Sequence, residues 1–185
     1  MTSRRTLLLL LPGAAVLLLL VLLVRVVFEP NRGTEMNAMD YTTINANAAA
    51  AASATITIAA DANSVWNILT DFARWRDWNP AVQAMTINGP VTPGTVFKWQ
   101  ADSAKITSTI QQAQPPYFIS WSGKMLGINA IHVWRLTPQD SVTVVHTAES
   151  WDGWLVKLLN KPMQKMLQKS LDEGLGYLQA AAEKS

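Results

Sequence analysis

The chain has 185 residues and no cysteine, and its 15 Lys and Arg residues nearly balance its 13 Asp and Glu residues. The lack of cysteine excludes disulfides, thiolate zinc sites and cysteine nucleophiles. From Ala54 onward there are 11 basic and 10 acidic residues, so the isoelectric point of about 9.0 does not indicate a nucleic-acid-binding protein.

The N-terminus predicts a transmembrane helix through residues 6–28. Between Arg5 and Arg25 lie 19 uncharged residues, mostly Leu and Val, and a helix of that length is roughly 28 Å long, close to the thickness of a bilayer core. A cleaved signal peptide is the alternative, but its apolar region typically has about 7–15 residues and ends at a small-residue cleavage site, which is not found here. Arginines before the helix favour a cytoplasmic N-terminus. We therefore expect a single-pass signal anchor over residues 1–28, with the rest of the chain on the extracytoplasmic side of the membrane.

Residues 29–53 are rich in Asn, Ala and Thr and show no apolar periodicity, so we expect a flexible linker. One domain should follow over residues 54–185. At its start, residues 55–59 alternate polar and apolar side chains like a half-buried strand. Asp61 then stands where the N-cap of a helix belongs, and a second short helix is expected from about residue 71 to residue 78.

Six strands at hairpin spacing come next, which predicts an antiparallel meander. They span residues 82–88, 95–101, 104–113, 116–122, 127–136 and 142–150. A long C-terminal helix begins near Pro162, because apolar residues then recur at helical spacing. These residues are Met163, Leu167, Leu171, Leu175 and Leu178.

Several motifs accompany this order of elements. They are Val65-Trp66 with Asp71 and Trp75, Trp78-Asn79-Pro80, Gly94 with Phe97 and Trp99, Trp121 with Gly123, His132-x-Trp134-x-Leu136, and Glu149-Ser150 with Gly153. In these residues the chain resembles the START-like superfamily (SRPBCC, helix-grip or Bet v 1-like proteins), and within it the polyketide cyclase and dehydrase branch. The resemblance implies an α+β fold, in which a seven-stranded antiparallel curved sheet wraps around the C-terminal helix and leaves a hydrophobic cavity. Members of the family are cyclases, dehydratases or carriers of lipids and hormones.

Strand parity predicts which residues face such a cavity, since alternate side chains of a strand share a face. On the strand over residues 127–136, the more apolar face carries His132, and we expect it to point inward. The last strand is ambiguous, with His146 on one face and Glu149 on the other, so these two residues make a poor dyad. Our candidate ligand-binding residues are Phe97, Trp99, Tyr117, Trp121, His132, Trp134, Trp154 and Met163.

Each candidate also has a purely structural interpretation. Buried aromatic residues such as Trp75 supply core area without touching a ligand. His132 is either a buried histidine with satisfied hydrogen bonds or a proton carrier beside a bound carbonyl. Two histidines without HExxH spacing do not predict a metal site, and we expect neither a metal nor a cofactor.

The segment over residues 151–162 combines two tryptophans with aliphatic residues and lysines. It is either an interfacial patch that touches lipid or gates the cavity, or ordinary core, and Trp154 fits both. Lysines then recur every four residues from Lys157 to Lys169, as a basic stripe or simply a solvated helix face.

The leading interpretation is a membrane-tethered START-like domain that binds a hydrophobic small molecule or lipid in an internal cavity. The first alternative is an enzyme of the cyclase or dehydratase type with His132 as proton carrier. The second is a protein-interaction module of the cell envelope without a small ligand. A cavity with converging polar groups around His132 would favour chemistry, and a filled interior would favour the interaction module.

Overall fold

The structure, a computed structural model, describes residues 41–184. The strands are β1 (Ala50–Ile58), β2 (Val82–Ile87), β3 (Val96–Ala101), β4 (Ala104–Gln114), β5 (Phe118–Met125), β6 (Ile128–Gln139) and β7 (Val142–Asp152). The helices are α1 (Ala62–Thr70), a short 3-10 helix (Phe72–Arg74), α2 (Trp75–Trp78), α3 (Trp154–Leu158) and α4 (Asn160–Ala182). The expected anchor and the first part of the expected linker lie outside the described residues. Within residues 41–184, no helix is long and apolar enough to cross a membrane.

All seven of these strands lie in one antiparallel sheet in the order β1-β7-β6-β5-β4-β3-β2. Consecutive strands from β2 to β7 are neighbours, because short turns connect them, and β1 closes the order beside β7. The long helix α4 follows the last strand. The predicted meander and C-terminal helix are thus confirmed.

The first strand begins at Ala50, inside the segment expected to be linker. Ala50 pairs with Trp151 near the end of β7, so the long last strand supplies backbone partners to this alanine-rich segment. The side chain of Gln164 on α4 holds the other edge of β1, since it accepts a hydrogen bond from Ala51 N at 3.1 Å and donates one to Ala51 O at 2.8 Å. Tertiary contacts therefore form a strand where the local sequence carries no strand pattern.

The residues just before β1 also pack against the domain. Tyr41 and Ile44 lie against Phe118, Ile131 and Val133, on the face of the sheet that points away from α4. Backbone hydrogen bonds to Arg135 and Ser150 side chains hold this segment as well. The described end of the expected linker is therefore a packed cover for the outer face.

The short helices close one end of the sheet with an aromatic cluster. The Asp61 carboxylate accepts hydrogen bonds from the first amides of α1 at 2.9 and 3.1 Å, so it forms the predicted N-cap. Phe72 then lies 4.8 Å from Trp75 and 4.6 Å from Phe97 between ring centroids. Trp121 of the central strand β5 packs against the same rings at 5.8 to 6.0 Å. This cluster forms the floor of the space between the sheet and α4.

Candidate functional site

A cavity of about 660 Å³ lies between the inner face of the sheet and α4. Six of the eight tryptophans contribute to its lining: Trp75, Trp78, Trp99, Trp121, Trp134 and Trp151. Small residues of the sheet, such as Gly123 and Ala130, keep the space between these rings open. The cavity volume falls in the range of about 300–1,000 Å³ that is typical of small-molecule sites.

The structure brings together four of the eight candidate ligand-binding residues. Trp99, Trp121, His132 and Trp134 all line the cavity. They come from β3, β5 and β6, whose inward faces the strand parity predicts.

The other four candidates lie elsewhere. Phe97 is fully buried in the aromatic cluster beneath the cavity. Tyr117 precedes β5, is 55% exposed and lines a separate depression of about 290 Å³. Trp154 is 62% exposed and lies outside the cavity lining, and Met163 packs in a second apolar cluster with Val156 and Leu167.

The cavity contains a pair of buried ionisable groups, His132 and Glu149. These residues are direct partners in the register of β6 and β7, so their side chains share the inner face. His132 Nδ1 lies 3.5 Å from Glu149 Oε2, and only 12% and 14% of the two side chains are exposed. The inner face of β7, ambiguous in the sequence, is therefore the one that carries Glu149.

Sequence reasoning missed this pair because it compared Glu149 with His146 on the same strand. The signal was present in the turn between β6 and β7, where Gln139 pairs with Val142 and Asp140 has a φ of 52°. A two-residue hairpin turn at this position fixes the register of the two strands. Counting back from it places His132 opposite Glu149.

Hydrogen bonds orient the imidazole ring. Thr147 Oγ1 donates to Val133 O at 3.3 Å, so it accepts the hydrogen of His132 Nε2 at 2.8 Å. The Nδ1 lone pair of the neutral ring then points to Glu149. A protonated Glu149 is the matching partner for this nitrogen, because its hydroxyl can donate to a lone pair.

Burial shifts both groups toward their neutral forms. Desolvation lowers the pKa of His132 to about 3. It also raises the pKa of Glu149 to about 7, although a hydrogen bond with the Trp151 side chain opposes this shift. Near neutral pH the imidazole is therefore uncharged, and Glu149 is the group that gains and loses the proton.

Two indole nitrogens in the lining are buried donors. Trp78 Nε1 and Trp134 Nε1 have no hydrogen-bond partner among residues 41–184. Trp99 Nε1, in contrast, donates to Ser108 Oγ at 3.1 Å. An unpaired buried N–H group is costly. Both rings line the cavity, but their nitrogen atoms are closed off by the surrounding side chains, so His132 and Glu149 are the polar pair of its inner wall.

The rim of the cavity is solvent-exposed and carries three lysines and two acidic residues, Asp102 and Glu173. Lys124 contributes to it from β5, and Lys165, Met166 and Lys169 contribute from the first half of α4. The opening thus lies between the hairpin turns of the sheet and the beginning of the long helix. Within residues 41–184, no group of three or more His, Cys, Asp or Glu side chains is placed to hold a metal ion.

Comparison with known proteins identifies a family and a fold. The family described as "Polyketide cyclase / dehydrase and lipid transport" matches residues 49–183. No curated protein matches the chain. Among solved structures, a START superfamily protein from Mycobacterium smegmatis is 16% identical with a TM-score of 0.64, over 72% of this chain and 97% of that one.

Two further structures share the fold. The Zhui aromatase/cyclase from Streptomyces sp. R1128 is 17% identical with a TM-score of 0.64, over 72% of this chain and 93% of that one. The hypothetical protein jhp0584 from Helicobacter pylori is 16% identical with a TM-score of 0.66, over 74% of this chain and 90% of that one. At these identities the similarity shows the fold, which is the START-like helix-grip fold that the sequence motifs indicate.

The pKa of Glu149 predicts how stability changes with pH. Because the folded chain binds this proton more tightly than the unfolded chain, the Glu149 contribution to the free energy of unfolding falls as pH rises from 4.5 to about 7. Glu149→Gln removes this loss. The free energy of unfolding of the variant, relative to that of wild type, should therefore increase by about 3 kcal/mol from pH 4.5 to pH 8. Urea denaturation across this range measures the gain.

Glu173→Gln is the control, because it makes the same change in an exposed rim residue away from the buried pair. The lowered pKa of His132 has the opposite effect, because it makes the free energy of unfolding rise between about pH 3 and pH 6.5. This effect is present in both wild type and Glu149→Gln. A difference between Glu149→Gln and wild type that stays constant from pH 4.5 to pH 8 would contradict the buried, proton-binding state of Glu149.

Proposed function

The chain belongs to the polyketide cyclase/dehydrase and lipid transport family, and from this premise we propose that it binds a hydrophobic small molecule or lipid inside the domain. The observation that carries the proposal is the cavity of about 660 Å³ with its six tryptophans. Burial of an apolar ligand against these rings removes a large apolar area from water. A filled interior would have favoured an interaction module, so the cavity favours a bound ligand instead.

The polar groups of the cavity suggest what the ligand carries. Near neutral pH neither His132 nor a protonated Glu149 supplies a positive charge, so the interior offers no counter-ion to an anionic head group. The polar groups of His132 and a protonated Glu149 instead suit a neutral hydroxyl or carbonyl group. We infer a mostly apolar ligand with a hydroxyl or carbonyl group that reaches the pair of His132 and Glu149.

A variant with a filled cavity tests ligand binding. Ala130 of β6 lines the cavity, so the added ring in Ala130→Phe should occupy part of its volume and exclude the ligand. Asn129 is the neighbouring residue on the exposed face of the same strand, and Asn129→Phe is the matched control. Both full-length proteins and wild type are purified from the native host in parallel, and their extracts are compared by mass spectrometry.

The expected result is an apolar compound that co-purifies with wild type and Asn129→Phe and is at least about tenfold depleted in Ala130→Phe, as for a ligand binding free energy changed by more than 1.4 kcal/mol. Lipids that merely surround the protein are equal in all three samples and cancel. Identical extracts from all three proteins would refute ligand binding in the cavity.

A second candidate function, a cyclase or dehydratase reaction, is supported by the pair of His132 and Glu149. The neutral imidazole has its Nδ1 lone pair in the cavity and a carboxyl group 3.5 Å away that titrates near neutral pH. Such a pair can take a proton from a carbon atom next to a ligand carbonyl and return it to another position. The solved aromatase/cyclase shares this fold at 17% identity.

Deuterium exchange tests this chemistry without knowledge of the product. Wild-type protein with its co-purified ligand in D₂O should add deuterium to the carbon next to the carbonyl, as seen by a mass increase of the ligand. His132→Gln should slow this exchange roughly 10²–10⁴-fold. His146→Gln is the control, because His146 is bonded to Thr55 on the outer face of the sheet and should exchange like wild type.

Thermal stability is measured for both histidine variants. Loss of exchange in a His132→Gln protein that still melts near the wild-type temperature supports a proton carrier. Ligand retention without any exchange in wild type would leave carriage as the function and exclude this reaction.

We also propose that residues 6–28 anchor the domain in a membrane, with the domain on the extracytoplasmic side. The support is the run of 19 uncharged residues between Arg5 and Arg25. Membranes of the native host washed with alkaline carbonate should retain the full-length chain. A shorter form released into the soluble fraction would instead mean that the segment is a cleaved signal peptide.

A further inference from the structure

We propose that an exposed apolar patch beside the cavity rim docks onto an anionic lipid bilayer. The apolar patch consists of Leu126, Trp154, Leu158, Leu159 and Met166. Leu126 is 83% exposed and Leu158 is 71% exposed, values that are unusual for large aliphatic side chains grouped in one area.

Close backbone contact makes the patch continuous. Gly127, in the turn after β5, lies against α3: a Cβ atom at Gly127 would be 2.7 Å from Trp154 Nε1. Gly153 faces it from the other side, since a Cβ atom there would be 2.2 Å from Gly127 O. The indole of Trp154 therefore lies against the turn that carries Leu126. Leu158 follows Trp154 by one helical turn and shares its face of α3.

Lysines are concentrated in the stretch of chain that carries most of the patch. From Gly153 to Leu171 the chain contains four lysines, Lys157, Lys161, Lys165 and Lys169, and no acidic residue. Asp152, Asp172 and Glu173 flank this stretch, and Asp152 and Glu173 pair with Lys157 and Lys169 at 3.6 Å. Lys161 and Lys165 have no acidic partner among residues 41–184, so they supply the positive charge of the stretch. Lys124 adds a further positive charge from the β5 side.

This combination of exposed apolar residues and lysines matches a membrane surface better than it matches a second copy of the chain. Tryptophan and aliphatic residues enter the interfacial layer of a bilayer, while lysines beside them attract anionic head groups. Two copies of the patch would instead bring two sets of lysines together. We therefore commit to anionic lipid as the occupant.

The position of the patch links docking to the cavity. Met166 belongs to both the patch and the cavity rim, and Lys124 and Lys165 lie on the same rim. A bilayer bound to the patch would thus face the opening of the cavity. This link rests on the proposed binding of a hydrophobic ligand, whereas docking itself does not.

A single fluorescent probe can test docking, because the chain has no cysteine. Leu126→Cys is labelled with the environment-sensitive dye NBD in the full-length chain, which is then reconstituted into vesicles. The vesicles contain phosphatidylcholine alone or phosphatidylcholine mixed with phosphatidylglycerol. Ala180→Cys is the control position for the probe, because Ala180 lies roughly 30 Å along the helix from the beginning of α4.

The expected result is a blue-shifted and brighter NBD signal at position 126 in the anionic vesicles and an unchanged aqueous signal at position 180. Leu158→Ser and Lys161→Gln should each reduce the signal, with the lysine change shifting the equilibrium roughly fivefold. Lys184→Gln, which removes an exposed lysine outside the patch, should have no effect. High salt should weaken binding in the same direction as Lys161→Gln.

Two results would overturn the proposal. The first is an aqueous NBD signal at position 126 in anionic vesicles, and the second is a lipid-independent signal that grows with protein concentration, which would mean a second copy on the patch. The Ala130→Phe variant separates docking from ligand binding. A normal NBD response in this variant supports docking by the surface alone, while the response in wild type remains valid even if no ligand co-purifies.

Discussion

The attachment of α4 to the edge strand β1 determines the rest of the structure. Glutamine side chains of the helix bond to the free backbone edge of the strand: Gln164 to Ala51, Gln168 to Ser53 and Gln179 to Thr57, at 2.8 to 3.3 Å. From Gln164 to Gln168, four residues of helix and two residues of strand advance the chain by similar lengths, about 6 and 7 Å, so the next turn of the helix meets the next carbonyl group on this edge. These bonds cover an edge that would otherwise be open to pairing. They also hold the helix along one side of the sheet, and the space over β3 to β6 stays open.

The placement of the polar pair follows from that open space. Glu149 and His132 occupy the inner face of neighbouring strands, where two apolar side chains would have cost the fold nothing. The folded protein loses stability whenever a carboxyl group buried to this degree ionises, and the raised pKa of Glu149 reflects this loss. Such a cost at a cavity wall, rather than in the packed cluster around Phe72, is typical of groups retained for binding or proton transfer.

The sequence predicts the sheet and the inward face well and the neighbour relations poorly. Alternation along β6 and β5 is enough to place Trp134, His132 and Trp121, because a one-residue error would reverse every side chain of a half-buried strand. It fails for Tyr117, which lies before β5 begins, in the connection from β4 where strand parity no longer holds. Strand parity also cannot show that Phe97 is buried beneath Phe72 and Trp75, because parity predicts the face of the sheet and not how deeply a side chain is buried. The start of β1 at Ala50 depends on Trp151, about 100 residues later in the chain, whereas the pairing of His132 with Glu149 follows from the two-residue turn between their strands.

The contact between Gly127 and Gly153 joins the cavity and the surface into one arrangement. Both glycines have positive φ angles, 71° and 128°, and neither position has room for a side chain. Through them the turn after β5 is fixed to the beginning of α3, and α3 leads directly into the half of α4 that forms the rim. The exposed Leu126 and Trp154 are therefore held by backbone geometry on the same side as the opening, with Lys165 and Met166 next to it. Exposed apolar residues on a mobile loop are not informative about function. Here close backbone packing keeps Leu126 and Trp154 exposed to water beside the opening of an apolar cavity. That fixed exposure is the structural reason for the proposal that the rim and the apolar patch act together.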